Sequence, residues 1–287
     1  MPTVLRMGAD SMRVLLPETL DQALQMRASE PGALPIAGGT DLMVDWPLHF
    51  DLHQRPFLDL SGVEDLRSLV WGEGWLSIGA LTTYWDVLGD VRAAAELSML
   101  QAAARTVGAV QIQMRGTWAG NIANGSPAAD GVPVLMAYGA EVELACSDST
   151  RRVPLNAYYH GYKQLEMRPD ELITRVWVPR RSHQFEEFIK VGSRGAQAIT
   201  KVGVALARSG KGWRVVANSM APTVCRCPRL ETMLDEEVSI RSPTDLLDAI
   251  RADVSPIDDI RSTARYREQV MSRVVYHALR AECAWIH

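Results

Sequence analysis

Apolar residues at Leu20, Ala23 and Leu24 fall at helical spacing, with Pro17 ahead of them and Pro31-Gly32 behind. That pattern predicts a helix over Thr19 to Ala28. Leu34-Pro35-Ile36-Ala37 then reads as a short strand running into Gly38-Gly39, and Leu58-Asp59-Leu60 as a second. The first segment is thus β-α-β and closes near residue 60. A second segment opens with a strand at Trp75 to Ile78. Asp90 is placed to cap a helix from Val91 to about Val107, with Gly108 as its C-terminal stop. Val132 to Ala137 reads as a buried helix. Glu141-Val142-Glu143-Leu144-Ala145 alternates like a half-buried strand, and Glu171 to Val178 is another, stopped by Pro179. Beyond about Arg180, strands are expected at Phe188 to Val191, Lys201 to Ala207 and Trp213 to Asn218, with Gly210-Lys211-Gly212 as a hairpin turn. Helices follow near Pro228 to Leu234, at Thr244 to Ala252 and across Ile257 to Ala284. On the last, Arg261, Arg265, Arg267 and Glu268 read as a solvated face with i,i+4 pairs. The organisation is α+β with mixed sheets, in two domains: 1–179, with parts of about 1–60 and 61–179, and 180–287.

Composition acts mainly by exclusion. The chain has 287 residues, 47% hydrophobic and 22% charged, ordinary for a soluble globular protein and enough for well-formed cores. A net charge of −4 with no Lys/Arg run gives no footprint for nucleic acid. No stretch approaches the roughly 18 apolar residues of a membrane span, and Met1 to Pro17 holds no continuous apolar run, so a cytoplasmic location is expected. Cys146, Cys225, Cys227 and Cys283 lack metal-ligand spacing and read as free thiols; no metal is expected. His49, His53, His160, His183, His277 and His287 are scattered, and no catalytic residue is assigned.

Two stretches carry the candidate chemistry: Ala37-Gly38-Gly39-Thr40-Asp41-Leu42, and Gly116-Thr117-Trp118-Ala119-Gly120-Asn121-Ile122-Ala123-Asn124-Gly125-Ser126-Pro127-Ala128-Ala129-Asp130. Each sets small residues and hydroxyls where backbone N–H groups can approach an anion, so the pair could clamp the two phosphates of one dinucleotide. Thr40 can donate to a phosphate oxygen, whereas Asp41 would repel phosphates and is better used to cap the next turn. Thr117, Asn121 and Ser126 add short polar side chains. Asp130 can accept from a ribose or adenine edge, cap the helix after it, or both. Lys190 stands at the end of a predicted strand, facing either solvent or an anionic ring. No Rossmann fingerprint, P-loop or Gly-x-Ser-x-Gly elbow is present, so a dinucleotide site here belongs to another architecture.

At these residues the chain resembles the FAD-binding (medium) subunit of the xanthine dehydrogenase and carbon monoxide dehydrogenase family of molybdenum hydroxylases. The likeness continues through His160-Gly161-Tyr162-Lys163, Pro169-Asp170-Glu171-Leu172-Ile173, Phe188-Ile189-Lys190-Val191-Gly192-Ser193-Arg194 and Asp259-Ile260-Arg261-Ser262-Thr263-Ala264-Arg265-Tyr266-Arg267. The resemblance implies a two-part FAD-binding domain of the vanillyl-alcohol oxidase (PCMH) type, followed by a smaller C-terminal α+β domain. It implies that Ile36, Ala37, Gly38, Gly39, Thr40, Asp41 and Leu42 wall one side of the FAD pyrophosphate, and Thr117, Ala119, Gly120 and Asn121 the other. Asp130 would meet the ribose or adenine half, while Ile173 and Lys190 would approach the flavin. Trp118-Ala119-Gly120 departs from the family pattern, which has two glycines there; alanine fits if its φ is negative.

The resemblance further implies an electron-transfer subunit that is incomplete alone. Substrate would be hydroxylated at molybdopterin on a large partner subunit, and electrons would cross 2Fe–2S clusters on a small partner to FAD. They would leave for NAD, oxygen or a quinone. A dimer of heterotrimers acting on a purine or other N-heterocycle is expected. The competing readings are a self-sufficient flavin oxidase or reductase of the same superfold, and a flavin-free scaffold.

Overall fold

Among the described residues three larger sheets follow one another along the chain, each with its own helices, and a two-stranded pair accompanies the second. The computed structural model describes residues 3–6, 13–45 and 55–287. The first sheet holds β1 (Thr3–Arg6), β2 (Arg13–Leu16), β3 (Leu34–Ile36) and β4 (Phe57–Asp59), in the order β1-β2-β4-β3. β4 runs parallel to both β2 and β3. Helix α1 (Leu20–Ser29) forms as its apolar spacing predicts: Thr19 caps it by accepting from the Gln22 N–H, and Ala23, Leu24 and Met26 are buried. β3 is an edge strand, and the Gly38-Gly39 turn after it leads into the short α2 (Leu42–Asp45).

The second sheet is antiparallel, in the order β5 (Leu69–Trp71), β6 (Trp75–Gly79), β11 (Leu172–Pro179), β7 (Glu141–Ala145), β8 (Thr150–Pro154). Between β6 and β7 come six helices: α3 (Tyr84–Gly89), α4 (Val91–Glu96), α5 (Ser98–Thr106), α6 (Val110–Gln113), α7 (Trp118–Asn124) and α8 (Gly131–Tyr138). Then follow β7 (Glu141–Ala145), β8 (Thr150–Pro154), the small pair β9 (Tyr159–Gly161) and β10 (Gln164–Leu165), and β11 (Leu172–Pro179). Asp90 does cap a helix, accepting from the Arg92 and Ala93 N–H groups. That helix is broken at Leu97 (φ −143°), so the single helix expected over 91–107 is two. The break buries the Leu97 side chain, and the Ser98 N–H donates to Glu186 (2.9 Å) instead of to a helical carbonyl. Part of the second candidate stretch winds into helix, because Trp118, Ala119 and Ile122 present buried faces behind the Thr117 cap.

The third sheet is β12 (Phe185–Val191), β13 (Val202–Ser209), β14 (Gly212–Asn218) and β15 (Cys225–Arg226), in that order and antiparallel. Its two faces serve different cores. Val204, Leu206, Trp213 and Val215 pack with α9 (Pro228–Asp235), α10 (Leu247–Asp253) and α11 (Ala264–Leu279). Ala205, Ala207 and Val216 join the core of the first two sheets instead, their small size admitting α8. The strand period of two thus makes this sheet a shared wall. α11 is shorter than expected: Ile257 to Ser262 is not helical, and Thr263 caps the helix by accepting from the Tyr266 N–H. Expected helix 244–252 starts as a 3-10 turn, Pro243–Leu246, before α10. Among the described residues no helix is long and apolar enough to cross a membrane.

Candidate functional site

The two glycine stretches meet. A Cβ on Gly38 would collide with the Arg115 carbonyl, and the Arg115 Nε donates to the Gly38 carbonyl (3.2 Å). Gly39 takes φ +73°, which turns the chain so that the Met43 N–H reaches the Gly39 carbonyl (2.9 Å). A Cβ on Gly116 would stand 3.4 Å from the Thr40 Oγ1 and 3.4 Å from the Tyr84 ring. Gly38 and Thr40, in the turn that follows Ile36 at the end of β3, are therefore set against Arg115-Gly116.

The second stretch is held from behind. The Tyr84 N–H donates to the Gly116 carbonyl (3.2 Å), and the Trp118 N–H to that of Thr82 (3.3 Å). The Thr117 Oγ1 accepts from the Gly120 N–H (2.9 Å), which starts α7. Ala119 lies in the first turn of this helix and is not among the positive-φ residues, so its methyl is accommodated. The Asn121 Oδ1 accepts from the Gly131 N–H (3.3 Å) and so ties α7 to α8. The Ser126 Oγ accepts from the Ala128 N–H (3.2 Å) in a local turn.

Asp130 precedes α8, but its side chain does not cap that helix. Oδ2 accepts from the Lys190 Nζ (2.6 Å), and Oδ1 from the Thr200 Oγ1 (2.5 Å) and the Asn218 Nδ2 (3.3 Å). Lys190 is no solvent-facing lysine: its side chain is 10% exposed and it also donates to the Thr106 carbonyl (2.8 Å). Burial pushes the Asp130 carboxyl above the usual carboxylate range, against the lowering influence of Lys190, Thr200 and Asn218. An ammonium has three protons, and these bonds use two. Ile173 is buried near the start of β11, beside the register shift between Ile173 and Arg175.

Three residues here went unread in the sequence: Tyr84, Thr200 and Asn218. Thr200 precedes a strand and Asn218 ends one, and neither carries a local signature. Tyr84 passes for a core aromatic, and its ring does pack 4.8 Å from that of Trp118. Yet its hydroxyl is buried with no hydrogen-bond partner among the described residues. Burial first, then the charges of Asp130 and Asp41, push this hydroxyl well above the usual phenol range, so it stays a donor. An orphaned buried donor costs about 1–3 kcal/mol and calls for an acceptor. A glycine cradle, a buried cation and an unmatched donor suit a phosphate-bearing, polar cofactor. His49 and His53 lie outside the described residues. Among the described residues no three His, Cys, Asp or Glu side chains gather as a metal site.

Two family models match the chain: the FAD binding domain in molybdopterin dehydrogenase over residues 10–181, and the CO dehydrogenase flavoprotein C-terminal domain over 187–281. The chain is 28% identical over 258 residues to a putative xanthine dehydrogenase FAD-binding subunit of Escherichia coli K12, covering 87% of this chain and 88% of that protein. It is 29% identical over 287 residues to subunit alpha of the 6-hydroxypseudooxynicotine dehydrogenase complex of Paenarthrobacter nicotinovorans, covering 95% of each. A solved carbon monoxide dehydrogenase chain from Hydrogenophaga pseudoflava, from an enzyme lacking the Mo-pyranopterin moiety, shares the fold over 100% of both chains, with a TM-score of 0.85 at 23% identity.

Proposed function

The chain belongs to the FAD-binding family of the molybdopterin dehydrogenases, and from that premise we propose how its residues divide the work. It is the FAD-carrying subunit of an oxidoreductase complex. Ile36 to Leu42 form one wall of the pyrophosphate site, and Thr117, Ala119, Gly120 and Asn121 the other. The observation that carries this assignment is the direct contact of the two stretches, Gly38 on Arg115 and Thr40 facing Gly116. Bound FAD supplies electron exchange in steps of one or two. Lys190 keeps one N–H that Asp130 and Thr106 do not use, and with it would hold positive charge beside bound FAD. Asp130 holds that lysine and has its own acceptors largely engaged, which makes it an orienting group more than a ribose contact. Ile173 closes an apolar side of the ring site, and Tyr84 donates its orphaned hydroxyl.

The full enzyme is a dimer of heterotrimers, with molybdopterin on a large subunit and 2Fe–2S clusters on a small one. A purine or other N-heterocycle is the substrate, and NAD is the first candidate acceptor. The domain division near residue 180 follows the same assignment. The test is the visible spectrum of the purified chain before and after acid release. Flavin bands with FAD in the supernatant support the reading; a colourless protein that takes up no added FAD, alone or with its partner chains, overturns it. Tyr84→Phe should weaken FAD binding about tenfold. It should leave the FAD-free protein as stable or more so, because an unmatched buried donor has gone.

A further inference from the structure

The motif running from Asp259 to Arg267 has no part in the cofactor walls, and the expectation of a solvated arginine face fails at Arg267. This residue is 3% exposed. Its guanidinium NH2 meets the Asp259 carboxylate at 2.8 Å, and its NH1 donates to the carbonyls of Lys201 (2.8 Å) and Ser219 (2.9 Å). Burying a guanidinium is costly unless it is paired and its donors are used; here NH1 and NH2 are engaged, while Nε is buried with no hydrogen-bond partner among the described residues. Asp259 is itself fixed, accepting from the N–H groups of Arg261 (2.8 Å) and Ser262 (3.0 Å).

The two carbonyls belong to the turns that present Thr200 and Asn218. Lys201 follows Thr200, and Ser219 follows Asn218. Ser219 holds a left-handed φ of +61°, which a non-glycine residue adopts only where surrounding bonds impose it. Those bonds are present: its N–H donates to the Pro127 carbonyl (2.6 Å), its Oγ to the Thr200 carbonyl (2.8 Å), and its own carbonyl accepts from Arg267. The turns so locked deliver the Thr200 Oγ1 and the Asn218 Nδ2 to one oxygen of Asp130, which leaves the other for Lys190.

We propose that Arg267 is a positioning residue for the Lys190–Asp130 pair, acting from α11 through the Thr200 and Ser219 turns. The inference rests on the reading that Lys190 faces FAD. When Arg267 no longer draws the turns together, Asp130 rotates, the lysine's free N–H changes direction, and the cofactor loses an oriented charge.

The test uses the full chain, stripped of FAD and reloaded, in the wild type, Arg267→Lys, Thr200→Val and the double variant. FAD affinity is read by fluorescence and the flavin potential by spectroelectrochemistry, at a temperature where circular dichroism shows each protein folded. A lysine keeps the charge but cannot reach two carbonyls and a carboxylate together. Arg267→Lys should weaken FAD about tenfold and make the potential more negative. Thr200→Val should shift both in the same direction, and the double variant should be little worse than the worse single one, since both break one relay. An Arg267→Lys protein with lowered melting temperature but wild-type affinity and potential overturns the proposal, and leaves Arg267 a tie between helix and sheet. If that variant does not fold, Thr200→Val decides alone, and unchanged affinity and potential overturn it. Wild-type protein that takes up no FAD, alone or with its partner chains, overturns the parent reading and this one with it; FAD uptake with unresponsive variants overturns this one only.

Discussion

Two buried carboxylates of this chain are each paired with cationic side chains in different number, and acid should treat them oppositely. Glu171, at the approach to β11, receives the Arg151 Nε (2.7 Å) and NH2 (3.0 Å), the Arg168 N–H (2.7 Å) and the Arg168 guanidinium. Burial works against its charge, but these donors hold its carboxyl at about 2. Asp130, between the second and third sheets, has one ammonium and two neutral donors, and burial prevails: its carboxyl is raised. The arginines around Glu171 keep contact with water, whereas Lys190 is itself buried. A carboxylate surrounded by guanidinium donors near the surface is a stabilising anchor. One raised by burial, beside a cation with a proton to spare, is a poised site.

The sharpest break of this contrast is Lys190→Met. It leaves a buried carboxylate without its counter-charge and should cost about 3–5 kcal/mol in denaturant unfolding. The loss should shrink as pH falls, because a folded-state pKa above the unfolded value penalises folding only while the group is ionised. Glu171→Ala should cost less, about 1.5–3 kcal/mol, since Arg151 retains Glu166 (3.0 Å) and both arginines can hydrate. Its pH signature has the other sign. In the wild type the Glu171 contribution is complete above the unfolded value of about 4.5 and is lost as pH falls toward about 2; the variant should lack that part of the acid transition. If both variants showed the same acid response, the contrast would collapse. Arg208→Ala sets the baseline: its pair with Glu237 (3.4 Å) is exposed on both sides, and melting should register under about 0.5 kcal/mol.

Most of what the sequence disclosed was local. Thr19, Asp90 and the alternation of Glu141 to Ala145 act through near neighbours: both caps start their helices and the strand forms where its alternation places it, although the helix behind Asp90 ends early, at Glu96. The glycine stretches were legible as close-approach turns because nothing larger than glycine fits at Gly38. What escaped depends on distant partners. The break at Leu97 needs Glu186, contributed by β12. The burial of Arg267 needs carbonyls from two turns of the third sheet, and on helical spacing alone an arginine beside Glu268 looks solvated. Tyr84 is unreadable for a subtler reason: an aromatic at a buried position satisfies the pattern whether or not its hydroxyl finds a partner.

Helix α8 has a consequence for how the protein comes into being. All eight of its residues are buried. Its end is closed by Gly139 at φ +76° and by Arg214 of β14, whose guanidinium donates to the Ala137 carbonyl (3.4 Å). A ribosome releases this helix well before β13 and β14 exist to cover it, and until they arrive its apolar flank faces water or the wrong neighbour. A chain cut after β11 would carry that flank permanently and should precipitate. On this account the last sheet covers in cis a surface that the earlier segments leave bare, and a chain ending at residue 180 should stay soluble less well than one that includes β13 and β14.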